Sequence, residues 1–376
     1  MAKFLLLLFM LIGLPLLGIV VSHRATAAYF EFPPQTLYVL HAPFSWIPFA
    51  GYTLFILVVV TPFVVHGLRR RPERSGATPF QPFPFPWWGW LGLLLGGLAW
   101  TMAWTRFPWF EAFQAHTFTP LWIAYIVTMN ALTYRRKRSC MLLNRPAAFL
   151  LLFPLSALFW WFFEYLNRFV QNWQYAGVQF GPLEYFLYAT LPFSTVLPAF
   201  TATREWLLTF SWPQQKFRSF IPLRVQRPKL VASAVLLFAG FGLAAIGVWP
   251  NLLFPLLWMA PLLVIVSLQA LSGEPHIFSD LPRGDWHIVL SSALAALLCG
   301  FFWEMWNAYS LAKWVYHVPF VHRFQVFEMP LLGYAGYLPF GLECAVLADI
   351  VLREDKGSLM RRPSSGNRRV EEPAPV

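Results

Sequence analysis

The basic residues of this chain fall almost entirely on one side of a series of apolar stretches. That asymmetry admits few folds other than a membrane-spanning helical bundle. The stretches lie at 4–21, 46–66, 87–105, 117–134, 147–166, 184–203, 230–248, 251–271, 287–306 and 330–351. Each approaches the ~20 residues that an α-helix needs to cross hydrocarbon. With the N-terminus inside, 23 of the 28 Lys and Arg residues are cytoplasmic, including Arg70 and its neighbours, the run 135–138, Arg204, Arg218 and the whole C-terminal tail. Only Arg24, Arg106, Arg168, Lys313 and Arg323 fall outside. Cytoplasmic loops of membrane proteins carry this bias.

Composition agrees. Charged residues make up 12% of the chain and hydrophobic ones 58%, where a soluble domain is about one-quarter charged. The net charge of +11 reads as a topology signal. No basic folded face is left to hold nucleic acid once the spans are removed. The expected fold is therefore all-α: a polytopic integral membrane bundle of about ten transmembrane helices, or nine if the first is a cleaved signal peptide ending near Ala25-Thr26-Ala27. The expected partner is the lipid bilayer, and the expected location the inner (plasma) membrane with the C-terminus cytoplasmic.

Two stretches look alike. One runs from Phe159 to Phe193 and the other from Gly300 to Phe340. Each presents an aromatic cluster, a Glu, an Asn three residues on, a Trp-x-Tyr, a later Glu and a Leu-Pro-Phe. In the first these are Glu164, Asn167, Trp173, Tyr175 and Glu184; in the second, Glu304, Asn307, Trp314, Tyr316 and Glu328. Both copies begin at the outer end of one span and finish in the next, so the expected duplication is parallel, about an axis along the membrane normal. The organisation that follows is two N-terminal helices and a basic loop (1–86), a four-helix repeat (87–203), a basic linker (204–229), a second four-helix repeat (230–351) and a disordered cytoplasmic tail (352–376).

Ionisable groups in hydrocarbon are costly and face a bundle interior or a cavity. Glu164 and Asn167 share a helical face at i, i+3, as do Glu304 and Asn307, so each amide is expected to orient its carboxyl or to fasten helix to loop. Glu184 and Glu328 stand at outer helix starts, where a carboxylate also suits the helix dipole. Glu343 lies mid-span, is expected to be neutral, and is a potential proton donor. His41, His116, His317 and His322 are expected outside with Glu111, but no ligand pair stands at helical spacing, so neither metal nor cofactor is expected. Cys140, Cys299 and Cys344 form no disulfide framework. No P-loop, GxSxG or GxGxxG motif is present.

Trp173-Gln174-Tyr175, followed by Gly181-Pro182-Leu183-Glu184-Tyr185-Phe186-Leu187-Tyr188, resembles the small membrane-embedded lycopene cyclase domain. That family carries a Trp-x-Tyr-like loop and then a Pro-Leu/Ile-Glu-Glu/Asp motif entering an aromatic span. Tyr185 stands where the family has its second acid, and Pro330 follows Glu328-Met329 in the second copy. The resemblance implies non-redox ring closure of a linear carotenoid. Glu184 and Glu328 would be the acids, and Glu164 and Glu304 the bases or orienters. Trp173, Tyr175, Trp314 and Tyr316, with Asn167, Asn307 and His317 beside them, would form the substrate site. Three classes are open: an enzyme acting on an apolar isoprenoid or lipid, a small-solute transporter or channel using Glu343, and a structural or assembly protein.

Overall fold

All ten apolar stretches are helical in the computed structural model, which describes residues 2–69 and 81–360. Arg70, Arg71 and Arg74 of the first basic loop, and the tail beyond 360, lie outside the described residues. The helices are α1 (Lys3–Val21), α2 (Trp46–Arg69), α3 (Trp87–Trp104), α4 (Phe118–Lys137), α5 (Pro146–Val170), α6 (Pro182–Phe193), α7 (Val196–Leu207), α8 (Pro228–Ala245), α9 (Pro255–Leu271), α10 (His287–Ala308) and α11 (Tyr337–Met360). Among the described residues, six stretches are long and apolar enough to cross a membrane: Lys3–Val21, Trp46–Arg69, Pro146–Val170, Pro228–Ala245, His287–Ala308 and Leu331–Leu352. α9 is apolar but shorter. α4 is a core helix whose polar Asn130 and Thr133 are fully buried, so its surroundings are protein more than lipid.

Two boundaries differ from expectation. The stretch 184–203 is two helices, α6 and α7, because Pro192 removes a backbone donor just before the turn at Ser194-Thr195. Ser156 of α5 closes that break. Its hydroxyl donates to the Phe193 carbonyl at 2.6 Å and accepts from the Leu197 amide at 3.0 Å. Freed backbone groups inside a membrane protein need this kind of partner. The last helix continues to Met360, where irregular tail was expected from 352.

The bundle centre is built by α4, α5, α7, α10 and α11, while α2 buries none of its residues and lies at the periphery. α10 and α11 approach closely at Gly341, where an added Cβ would stand 2.3 Å from the Ser292 carbonyl oxygen. Small residues at such crossings let helix backbones approach where lipid gives no hydrophobic drive. Two short strands from distant loops pair antiparallel: β1 (Trp173–Ala176) with β2 (Lys313–Tyr316). The register sets Trp173 against Tyr316, Gln174 against Val315 and Tyr175 against Trp314.

Candidate functional site

α5 ends where Gln171 takes a left-handed conformation (φ 47°), and the chain turns back as β1. Asn167 holds this return. Its Oδ1 accepts from the Asn172 amide at 2.8 Å, and its Nδ2 donates to the Trp173 carbonyl at 2.8 Å. Asn307 does the same for β2, with its Oδ1 accepting from the Trp314 amide and its Nδ2 donating to the Trp314 carbonyl, both at 2.8 Å. Of the two roles expected for these amides, orienting a carboxyl or fastening helix to loop, the contacts are those of the second: both clamp strand backbone, where an unpaired peptide group would be costly.

The carboxyls are fixed by aromatic donors that those strands deliver. Glu164 Oε1 accepts from the Tyr175 hydroxyl at 2.6 Å, the Trp173 indole at 3.0 Å and the Trp160 indole at 3.2 Å. Glu304 Oε1 accepts from Tyr337 at 2.6 Å and Tyr316 at 2.7 Å, while the Trp314 indole donates to the Tyr316 oxygen at 2.8 Å. Glu304 Oε2 is buried and unpartnered. Donors gathered on one oxygen are the arrangement that negative charge there would need. Tyr175 and Tyr316 sit in β1 and β2, outside the long apolar helices. Burial first, and the adjacent Glu164 or Glu304 second, push both phenols well above their usual range.

The two sets differ at one point. Trp160 lies four residues before Glu164, but Gly300 lies four before Glu304. A Cβ at Gly300 would stand 2.5 Å from the Tyr337 ring. The phenol of α11 therefore fills the place of the missing indole and supplies its hydrogen bond.

Both sets border one cavity of about 360 Å³, within the roughly 300–1,000 Å³ of ligand pockets. Its floor is aromatic, with Trp160, Trp173, Trp258, Trp303, Phe193 and Tyr337. Glu164 is the carboxyl on its wall. Polar groups lie elsewhere on the lining, among them Gln35, Thr36, Arg168, Gln174, Gln179 and Lys313. One side is a strap, residues 33–37. Gln171 holds its continuation, accepting from the Tyr38 and Val39 amides at 2.9 Å and donating to the Thr36 carbonyl at 2.8 Å.

The other expected residues stand apart from the cavity lining. Glu184 is exposed and accepts from the Gly181 amide at 3.2 Å, a helix-start role. Glu328 pairs with Lys313 at 2.5 Å. Glu343 is buried and accepts from the Leu262 amide at 3.1 Å. His317 lies between His41 and His322, its ring centroid 5.8 and 6.3 Å from theirs, while His116 packs on Tyr188. Among the described residues, no group of three or more His, Cys, Asp or Glu could hold a metal. Sequence reasoning had not singled out Trp160, Trp258, Trp303, Tyr185 or Tyr337 for the site. Of these, Trp160 carried a usable signal: it stands at i−4 of Glu164, on the same helical face. Comparisons of the chain with protein families, with characterised proteins and with solved structures gave no match in any of the three.

Proposed function

We propose that this chain is an integral membrane enzyme that acts on an apolar isoprenoid by carboxyl acid/base chemistry, closing a ring at one end of a linear carotenoid-type substrate. The observation that carries the reading is Glu164, a carboxyl beside the aromatic part of the cavity, with three donors converging on one of its oxygens. In the acid form the proton sits on Oε2, which makes no hydrogen bond among the described residues. Transfer to a terminal alkene leaves a carboxylate whose Oε1 is already stabilised, and a carbocation against indole faces whose quadrupoles attract positive charge. A cavity of this size takes the end of a long isoprenoid and leaves the remainder in lipid. The acid role passes from Glu184 and Glu328, tied up at a helix start and in an ion pair, to Glu164.

The same reading includes a doubled four-helix unit within ten spans and a cytoplasmic C-terminus in the plasma membrane. It is supported by the crossed pairing of Trp173 with Tyr316 and of Tyr175 with Trp314, centred on Gln174 and Val315. A two-fold axis through equivalent strands produces that pattern. The transporter reading needs Glu343 along a polar path. That carboxyl is held by the Leu262 amide and is absent from the cavity lining. An assembly protein would have its carboxyls bonded locally and no cavity; here the cavity is present.

The test is expression in a host that accumulates linear lycopene, with pigments resolved by chromatography and mass spectrometry. Cyclised product is expected from the unmutated chain, and its loss from Glu164→Gln. Unchanged pigment with the unmutated chain, together with no isoprenoid among the lipids that copurify, would remove the proposal.

A further inference from the structure

The two carboxyls are not equivalent with respect to the cavity. Glu164 lines it, whereas Glu304 is fully buried and absent from its lining. Tyr316 and Tyr337 stand between Glu304 and the cavity: both line it, and both donate to Glu304 Oε1. Their oxygens differ. That of Tyr316 already accepts a hydrogen bond from the Trp314 indole. That of Tyr337 accepts none among the described residues. The Tyr337 ring is held against Trp303, with centroids 6.0 Å apart and planes 28° from parallel, in the space that Gly300 leaves.

We propose that Tyr337 is the catalytic base of this site, taking a proton from the substrate cation while passing its own to Glu304. This rests on the cyclase reading above. The step balances without an oxidant or reductant. The C–H bond beside the cationic carbon breaks, and its electron pair becomes the ring C=C. The proton goes to Oη of Tyr337, and the Tyr337 proton goes to Oε1 of Glu304, which changes from carboxylate to acid. Since Glu164 gave up one proton to start the reaction, the net transfer is from Glu164 to Glu304; Glu304 returns its proton through Tyr337, and Glu164 regains one from the cavity it lines. Glu304 never touches substrate; it is a positioning residue and proton reservoir. A phenol as the final base, held on a stacked ring, also sets which neighbouring C–H is lost, and so fixes the position of the double bond.

The experiment uses membranes containing the full-length chain, with linear lycopene as the probe. Rate and the double-bond isomers of the product are both read. Tyr337→Phe keeps the ring on Trp303 and removes only the hydroxyl. It is expected to slow ring formation about a hundredfold, the low end of what a general base supplies, and to scatter the residual product over several isomers. Tyr316→Phe is expected to stay within about tenfold, with one isomer, because it loses a hydrogen bond and no proton carrier. Glu304→Gln keeps an acceptor for both tyrosines but cannot become an acid. It should match Tyr337→Phe, and the double variant should be no worse than either, since groups acting as a unit are not additive. Isomer scatter separates a lost base from a general loosening, which would lower the yield of one product. Tyr337→Phe at the unmutated rate with a single isomer overturns the proposal and leaves the cyclase reading intact. An unmutated chain that is inactive on linear isoprenoids overturns both. Should Tyr337→Phe fail to accumulate, Glu304→Gln at the unmutated rate with a single isomer overturns it equally.

Discussion

Trp173 of β1 lies directly opposite Tyr316 of β2, and each belongs to the donor set of a different buried carboxyl, Glu164 for one and Glu304 for the other. A four-residue ladder between two loops thereby links the two donor sets beside one cavity, which Glu164 lines directly and Glu304 reaches only through its tyrosines.

That ladder depends on the turn after β1. Gly177 has φ 90°, and a Cβ there would stand 1.8 Å from the Leu311 carbonyl oxygen. Gly177→Ala is expected to destabilise the protein by at least about 2 kcal/mol, from backbone strain and the forced separation of β1 from β2. The unfolding midpoint in detergent measures this. An unchanged midpoint would show that the two loops do not close as described.

Glu343 separates a structural role from a proton-carrying one. Its Oε1 accepts from the amide of Leu262, the residue after the helix-interior Pro261. Glu343→Gln keeps an acceptor there and should cost less than about 1 kcal/mol. Glu343→Ala strands a buried N–H, whose desolvation alone costs about 1–3 kcal/mol. Thermal unfolding of the two variants decides between them. Equal losses would mean that the ionisable carboxyl itself matters, as the transporter reading requires.

The histidine stack makes stability depend on pH. His41 lies below the usual imidazole range, first through burial and then through the neighbouring His317 and His322 rings, against the Val170 carbonyl that accepts its Nε2–H. His322 is lowered by burial and His317, against the opposing pull of Glu328. The folded state therefore binds fewer protons than the unfolded chain between the folded pKa and the ordinary value of 6.5. Stability should fall as pH drops below about 6.5 and level off once the folded histidines also protonate. Unfolding midpoints at pH 7.5 and 5.0 test this. The double variant His41→Gln, His322→Gln should show the smaller drop.

Topology can be read by thiol labelling. All three native cysteines are buried, so background is low. Gln325→Cys, exposed in the segment that follows β2, should react with an impermeant maleimide in intact cells. Arg218→Cys, also exposed, should react only after permeabilisation. Equal labelling of both would dissolve the sidedness on which the site assignment depends.

The helical bundle and the Glu-Asn-Trp-x-Tyr elements were legible in the sequence, because lipid imposes a length on every span. Trp173, Tyr175 and Tyr316 could be singled out because the order of residue types after Glu164 recurs after Glu304. What no linear pattern expressed is which aromatic groups reach each carboxyl. Trp258 comes from α9, with nothing to mark it among 19 tryptophans. Tyr337 reaches Glu304 only because Gly300 vacates the space that Trp160 fills on the other side. Glu184 and Glu328 carried the resemblance to a known motif, yet a nearby backbone amide and Lys313 claim them at the surface. Apolar periodicity acts along the chain, so the sequence by itself determined a bundle of apolar, membrane-type helices. The hydrogen bonds of a carboxyl depend on which side chains converge within 3 Å of it, and only the packing of α5, α10 and α11 against the two strands decided that.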